Sequence, residues 1–276
     1  MKYQIEAFAH NQNSIRDLEA GEQMHSSIGP WTEANLVYIQ PSHLKERLLT
    51  PALSEAHIPL VIYDVGLGIA ANALAAIDVF LNIQPSRDLH LISFENKISG
   101  IQFALEHIDD FPFLKTYEHL VLSLIQDRKM TLAQGGRTLH WELREGDFRE
   151  QLSSCSPAEI IFYDFYSPKT CPELWGYQTF KLLFESTKKR RDDHRETTLY
   201  TYCSSTAARA AMMLAGFYVG HGPATPSKRE TTIASTFIEN LNRPLDLRWL
   251  EKWHRSAKPL PEDYPSQLLI SLDASG

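Results

Sequence analysis

The apolar run Leu60-Val-Ile-Tyr63 ends in Asp64-Val-Gly66-Leu-Gly68, and this passage from strand-forming residues to a tight glycine loop constrains the fold more than any other segment. A helical pattern from Ile69 to Leu81 follows, so the three pieces read as strand, turn and helix of a βαβ unit. Asp64 stands just before the turn. In a dinucleotide fold that turn and the helix N-terminus hold a pyrophosphate, which a neighbouring carboxylate would repel. A cationic ligand is welcome there. The third glycine of a nicotinamide fingerprint is also absent, so a dehydrogenase is the least favoured enzyme class.

Strand-length apolar runs alternate with helix-length patterns from residue 59 to about 220, which predicts a mainly parallel sheet with helices on both faces. Strands are expected near 59–64, 88–95, 137–144, 158–164 and 197–203, with helices over 69–81, 96–107, 148–152 and 172–187. The stretch 113–130 has apolar residues near helical spacing and reads as an inserted helix. Two later runs, 217–221 and 231–236, form an expected antiparallel hairpin at the sheet edge. Residues 188–195 read as a charged surface connection. The division is then an N-terminal extension over 1–57, a Rossmann-like domain over 58–240, and a tail over 241–276 with Trp249 and Trp253 on a short helix.

With 276 residues, 43% of them hydrophobic, the chain can build one large α/β core without disulfides. No apolar run approaches the ~20 residues of a membrane span, and the N-terminus lacks the apolar core of a signal peptide, so a soluble, cytoplasmic protein is expected. The three cysteines, Cys155, Cys171 and Cys203, form neither a Cys-x-x-Cys pair nor a zinc-like set, and no metal is expected. A net charge of -7 opposes nucleic acid overall, leaving any RNA contact to local basic patches.

Three further acids follow strand-like runs as Asp64 does: Glu95 after Leu89-His-Leu-Ile-Ser-Phe94, Asp147 after the run ending at Gly146, and Asp164 after Glu159-Ile-Ile-Phe-Tyr163. Carboxylates gathered at the C-terminal edge of one parallel sheet suit S-adenosylmethionine, whose ammonium, ribose hydroxyls and adenine amine all seek acceptors.

The segment Phe162-Tyr-Asp164-Phe-Tyr-Ser-Pro168-Lys169-Thr-Cys-Pro172-Glu-Leu-Trp175 resembles the strand-four signature of the methyltransferase domain of the MnmC family, which makes 5-methylaminomethyl-2-thiouridine in tRNA. Asp, Pro, Lys, Pro and Trp fall in register with it. Gly21-Glu22-Gln-Met-His25-Ser26-Ser-Ile-Gly29-Pro-Trp31-Thr-Glu33 resembles the family's N-terminal motif. Thr201 to Phe217, with Ser204, Arg209 and Ala215-Gly216, is similar to its fifth strand and following helix, and Lys228-Arg229-Glu230 to its Lys-Arg-Glu ending. The resemblance spans about residues 20–235. It departs at Ala70, which would crowd the methionine end, and at Pro223 to Ser227, which replaces the family's Gly-Phe-Gly-Arg.

The resemblance implies a Rossmann-like class I methyltransferase using S-adenosylmethionine, acting on the anticodon loop of tRNA. Asp64, Gly66, Gly68 and Asn72 would shape the methionine and ribose pocket, Glu95 would take the ribose hydroxyls and Asp147 the adenine amine. Asp164 would either bind the cofactor ammonium or accept the proton of the substrate amine. His25, Ser26 and Glu33 would close over cofactor or substrate, while Lys169, Arg209, Lys228 and Arg229 would meet phosphates and Trp31 or Tyr166 would stack on a splayed base. Bifunctional members carry an FAD-dependent oxidoreductase domain for which this length leaves no room, so a stand-alone N-methyltransferase of aminomethyl uridine is expected. A methyltransferase for a small-molecule or protein amine and a catalytically degenerate tRNA-binding relative stay open. Oligomeric state is not legible.

Overall fold

The computed structural model describes residues 2–8, 13–51, 58–246, 248, 249 and 253. The N-terminal segment begins with a small antiparallel sheet of Tyr3–Ala7 (β1), Asn13–Asp17 (β2) and Glu22–Gln23 (β3), in the order β1-β2-β3. Ile5 pairs with Ile15, and Tyr3 and Ile15 are buried together with the polar Ser14 and Asp17. Pro30 opens a short helix, Pro30–Glu33 (α1), its fixed φ suiting a first helical position. The chain continues through a π-helical turn, Ala34–Ile39, into Leu44–Leu49 (α2).

Leu60–Val65 (β4) is buried along its whole length, as expected of a strand covered on both faces. Ala71–Leu81 (α3), Leu89–Glu95 (β5), Ser99–Glu106 (α4), Pro112–Thr116 (α5), Glu118–Asp127 (α6), Lys129–Gln134 (β6) and Arg137–Glu145 (β7) follow. The second half holds Phe148–Gln151 (α7), Ile160–Tyr163 (β8), Tyr177–Ser186 (α8), Lys188–Asp192 (α9), Thr198–Thr201 (β9), Thr206–Ala215 (α10), Tyr218–His221 (β10) and Thr232–Ser235 (β11).

The eight-stranded sheet runs β10-β11-β9-β8-β4-β5-β7-β6. Its centre is parallel: β4 pairs with β5 and β8, β5 with β7, and β8 with β9. From β4 the chain winds outward to β5 and β7, then returns to place β8 on the other side of β4. Strand order reverses there, and the crevice beyond the C-terminal ends of β4 and β8 is the natural ligand site of such a sheet. Leu60 and Ile62 bury one face with α3, and Val61, Tyr63 and Val65 bury the other with α8 and α10. Each such side chain contributes about 1.5–3 kcal/mol on leaving water.

The α/β class, the parallel centre and the β10-β11 edge hairpin agree with the sequence reading. Several local expectations are corrected. The stretch 113–130 is not one helix: α5 and α6 divide it, Arg128 takes a left-handed φ of 59°, and β6 follows, pairing antiparallel with β7 across Gly135-Gly136. Residues 172–187 are split by Gly176 into a 3-10 turn, Pro172–Trp175, and α8. The charged segment at 188–195 is not merely surface, because α9 buries Arg190 beside Glu159, which also meets Arg47 and Arg87. Of the tail, most lies outside the described residues; Trp249 and Trp253 stack with ring centroids 6.4 Å apart. No described helix is long and apolar enough to cross a membrane.

Candidate active site

Gly66 and Asp164 bring the two central strands together at their C-terminal ends. The Asp164 N–H donates to the Val65 carbonyl at 2.9 Å. Gly66 has a φ of 97°, and a Cβ there would lie 2.1 Å from the Asp164 carbonyl oxygen, so the crossing admits no side chain. Gly68 also has positive φ, but the space beside it is open.

A cleft of about 270 Å³ lies over this crossing, with Gly66, Gly68, Asn72, Glu95 and Asp164 on its floor and Tyr3, Asp17, Met24 and His25 of the N-terminal segment above. It adjoins a recess of about 170 Å³ lined by Glu95, Asp147, Phe148 and Phe165. On the other side is a chamber of about 600 Å³ lined by Ser26, Glu33, Trp175, Tyr202, Ser204 and Lys228. Asp164, Phe165 and Tyr166 face both the cleft and the chamber.

Asp164 accepts a hydrogen bond from Asn72 Nδ2 at 2.8 Å and another from the Tyr38 hydroxyl. Burial pushes its pKa up, and these donors pull it back by favouring the ionised form. Glu95 Oε2 accepts the Gly68 N–H at 3.1 Å and Oε1 accepts that of Lys97 at 3.2 Å, tying the glycine loop to the end of β5. Its pKa is raised by burial, against the effect of these bonds.

Asp147 caps α7, accepting the Arg149 N–H at 2.9 Å, and its carboxylate pairs with the Arg149 guanidinium at 2.5 Å, which holds it below the usual range. It lines the recess beside the cleft.

Asp64 does not reach the cleft. It shares the face of β4 that carries Leu60 and Ile62, is 1% exposed, and accepts from Ser93 Oγ at 2.8 Å, which in turn accepts from Trp141 Nε1 at 2.9 Å. Its Oδ1 is buried without a partner, and burial drives its pKa to about 8. Ala70 likewise points into the core, at φ 64° as the N-cap of α3, rather than crowding the cleft.

Residues of the N-terminal motif line the chamber. Glu33, 3% exposed, accepts the Ser26 N–H at 3.1 Å; burial, then the nearby charge of Asp164, raise its pKa to about 7. His25 is buried, with its pKa lowered to about 4, so it is neutral. Lys228 Nζ donates to the Tyr202 carbonyl at 2.8 Å and lies 4.2 Å from that ring's centroid. In the loop that replaces the Gly-Phe-Gly-Arg pattern, Ser227 touches Ser26 and Tyr202.

Other expected contacts are corrected. Arg209 is 3% exposed and saturated by Glu230, Thr232 and the Thr231 carbonyl, so it locks the end of α10 to β11 and offers nothing to a phosphate. Trp31 stacks on Phe113 and Tyr117 away from the chamber, as a packing residue. Lys169 and Arg229 are exposed. Sequence reasoning missed Tyr38 on the π-helical turn, Tyr202, and Glu22, which accepts from Ser167 N, Ser167 Oγ and the Thr170 hydroxyl.

The residues fit S-adenosylmethionine. Asp17, Glu95, Asp164 and Glu173 all line the cleft, offering acceptors to an ammonium, a sulfonium and ribose hydroxyls while repelling a pyrophosphate. Among the described residues no cluster of His, Cys, Asp or Glu is arranged to hold a metal ion.

Comparison with known proteins agrees. Residues 113–236 match the family of S-adenosyl-L-methionine-dependent methyltransferases. The tRNA 5-methylaminomethyl-2-thiouridine biosynthesis bifunctional protein MnmC of Polaromonas naphthalenivorans is 25% identical over 217 residues, covering 76% of this chain and 32% of that protein. The protein of the same name from Azoarcus is 28% identical over 220 residues, covering 76% and 32%. This chain therefore spans about a third of the length of these relatives. The crystal structure of MNMC2 from Aquifex aeolicus superposes with a TM-score of 0.71 at 22% identity, covering 96% of this chain and 80% of that one, and shares the fold.

Proposed function

We propose that this chain is an S-adenosylmethionine-dependent methyltransferase, similar to the methyltransferase domain of MnmC, and that it methylates the aminomethyl nitrogen of wobble uridine in tRNA. The observation that carries this reading is the double exposure of Asp164, to the cleft and to the larger chamber. A nitrogen held against Asp164 from the chamber side is next to whatever the cleft holds. The bifunctional relatives are named for making 5-methylaminomethyl-2-thiouridine, and this chain matches the part of them that it covers.

The cofactor, when bound, supplies an electrophilic methyl group. The protein's share of the work is to orient donor and acceptor and to manage a proton, since alignment alone is worth about 7–11 kcal/mol in well-oriented reactions. In this reading Glu95 takes the ribose hydroxyls and Asp147 marks the adenine end. Gly66, Gly68 and Asn72 shape the methionine end, with Asp64 supporting the loop from below. Asp164, on which burial raises the pKa while Asn72 and Tyr38 favour the carboxylate, faces the positive charge of the amine. Tyr166 and Tyr202 flank the chamber as faces on which a splayed base can stack, and His25 and Ser26 close its roof. Lys169 and Arg229 are the exposed cations available to phosphates, with Lys228 inside the chamber.

Methyl incorporation into tRNA carrying aminomethyl uridine tests the proposal. Transfer to that tRNA and not to tRNA with unmodified wobble uridine is expected; no transfer by cofactor-bound protein removes this substrate. A second reading, an amine on a small molecule or protein, is favoured by the net charge of -7 and by the engagement of Arg209 within the fold. Label appearing in an RNA-free extract but not in RNA would select it.

A further inference from the structure

Three acids line the chamber: Glu22, whose carboxylate is taken up by Ser167 and Thr170, Glu33 and Asp164. Asp164 already receives Asn72 and Tyr38. Asp164 lines the cofactor cleft as well as the chamber, where a counter-charge is needed, whereas Glu33 lines the chamber and not the cleft. Glu33 faces the chamber from α1, with the Ser26 N–H on Oε2 at 3.1 Å and the Ser26 hydroxyl donating to it as well. Around it stand Asp164 from the end of β8, Lys228 from the loop between β10 and β11, and Tyr38 from the π-helical turn, while His25 and Cys203 line the same chamber.

We propose that Glu33 is a catalytic residue, the acceptor of the proton that the substrate ammonium must lose, while Asp164 stays ionised as its electrostatic partner. This rests on the amine acceptor proposed above. An alkylammonium has a pKa of ~10, so at neutral pH an enzyme-bound base has to take its proton. The N–H bond breaks, the proton passing to a Glu33 oxygen and the electron pair staying on nitrogen. That pair forms the bond to the transferred methyl carbon as the methyl–sulfur bond breaks toward sulfur. The methylated nitrogen leaves with one positive charge and Glu33 returns its proton to water. Burial and the neighbouring Asp164 bring Glu33 to about 7, the range suited to a base working at neutral pH, while Lys228 opposes them.

The test begins without substrate. In the full chain labelled with ¹³C at glutamate carboxyls, the resonance lost in Glu33→Gln should titrate near neutrality, and Lys228→Met should move that midpoint upward, because a positive charge that favours the carboxylate has gone. A midpoint in the ordinary carboxylate range, about 4–5, overturns the inference whichever amine is the substrate. In turnover, E33Q should bind cofactor as the unsubstituted chain does, lose about 10²–10⁴-fold in kcat at pH 7, and regain rate about tenfold per pH unit as solvent takes over the proton. An unchanged pH profile in folded E33Q also overturns it. Should E33Q fail to fold, K228M carries the test through the upward shift of the acid limb. Failure of the unsubstituted chain to methylate aminomethyl uridine strikes the substrate proposal instead, and leaves the titration standing.

Discussion

Asn72, at the start of α3, donates to Asp164, at the end of β8, at 2.8 Å, so the helix that follows the glycine loop also sets the charge of the acid on the opposite strand. Asn72→Ala removes a donor that favours the ionised form, and the Asp164 pKa rises further. At low pH more of that carboxyl is then neutral and holds a cation less well. Affinity for S-adenosylmethionine should fall about tenfold, more at the lower of two pH values than at the higher, as expected for loss of a charge-assisted bond of ~1.5 kcal/mol. Calorimetric titration at the two pH values checks this, and an equal loss at both would count against it.

The two glycines of the loop should respond differently to the same change. Gly66→Ala forces a methyl group against the Asp164 carbonyl, with no flexible side chain to give way. Loss of cofactor binding and a large fall in melting temperature are expected. Gly68→Ala meets only the left-handed backbone penalty, about 1–2 kcal/mol, in open space. Thermal denaturation of the two variants side by side is the measurement.

Asp64 gives a pH-dependent stability of unusual sign. Its folded pKa, about 8, lies above the ~3.9 of an unfolded aspartate. The unfolded chain therefore gives up this proton first as pH rises, and the group's contribution to stability falls between about pH 4 and pH 8. Asp64→Asn removes that loss while keeping an acceptor for Ser93. It should be worth on the order of 2–4 kcal/mol more at pH 7.5 than at pH 4. Urea denaturation at both values tests this, and an identical difference at each would contradict it.

Glu22 ties the N-terminal sheet to the loop that carries Ser167 and Thr170. Glu22→Ala leaves those donors without a partner, at a cost of about 1–3 kcal/mol. Faster amide exchange at Ser167 and faster cofactor release, measured by stopped flow, are the expected outcomes, with the sheet core unaffected.

The central strands were legible because β4 is apolar on both faces and ends in glycines, a pattern few other elements share. Strand β6 alternates and Gly135-Gly136 marks the turn to β7, but the helical spacing of α6 runs almost to its first residue and masks the change of period. The N-terminal sheet left a weaker trace: Asn13-Ser-Ile-Arg-Asp has a single large apolar residue, and its order comes from pairing with β1. At the site, Asp164 and Glu95 could be placed from what precedes them. The withdrawal of Arg209 could not, because it depends on Glu230 and Thr232 meeting it across a helix and a strand. Asp64 was read as part of the cleft because position along a strand is visible in sequence, whereas the face it takes is decided by Ser93 and Trp141 from two neighbouring strands.

The side chain of Asp164 is a party wall. Widening the larger room to admit a bulkier guest, or reshaping the smaller one for a different donor, moves the same partition. Attempts to retarget this protein should therefore find that acceptor preference and donor affinity shift together, and that variants altering one without the other map to Trp175, Tyr202 or Lys228 on the far side.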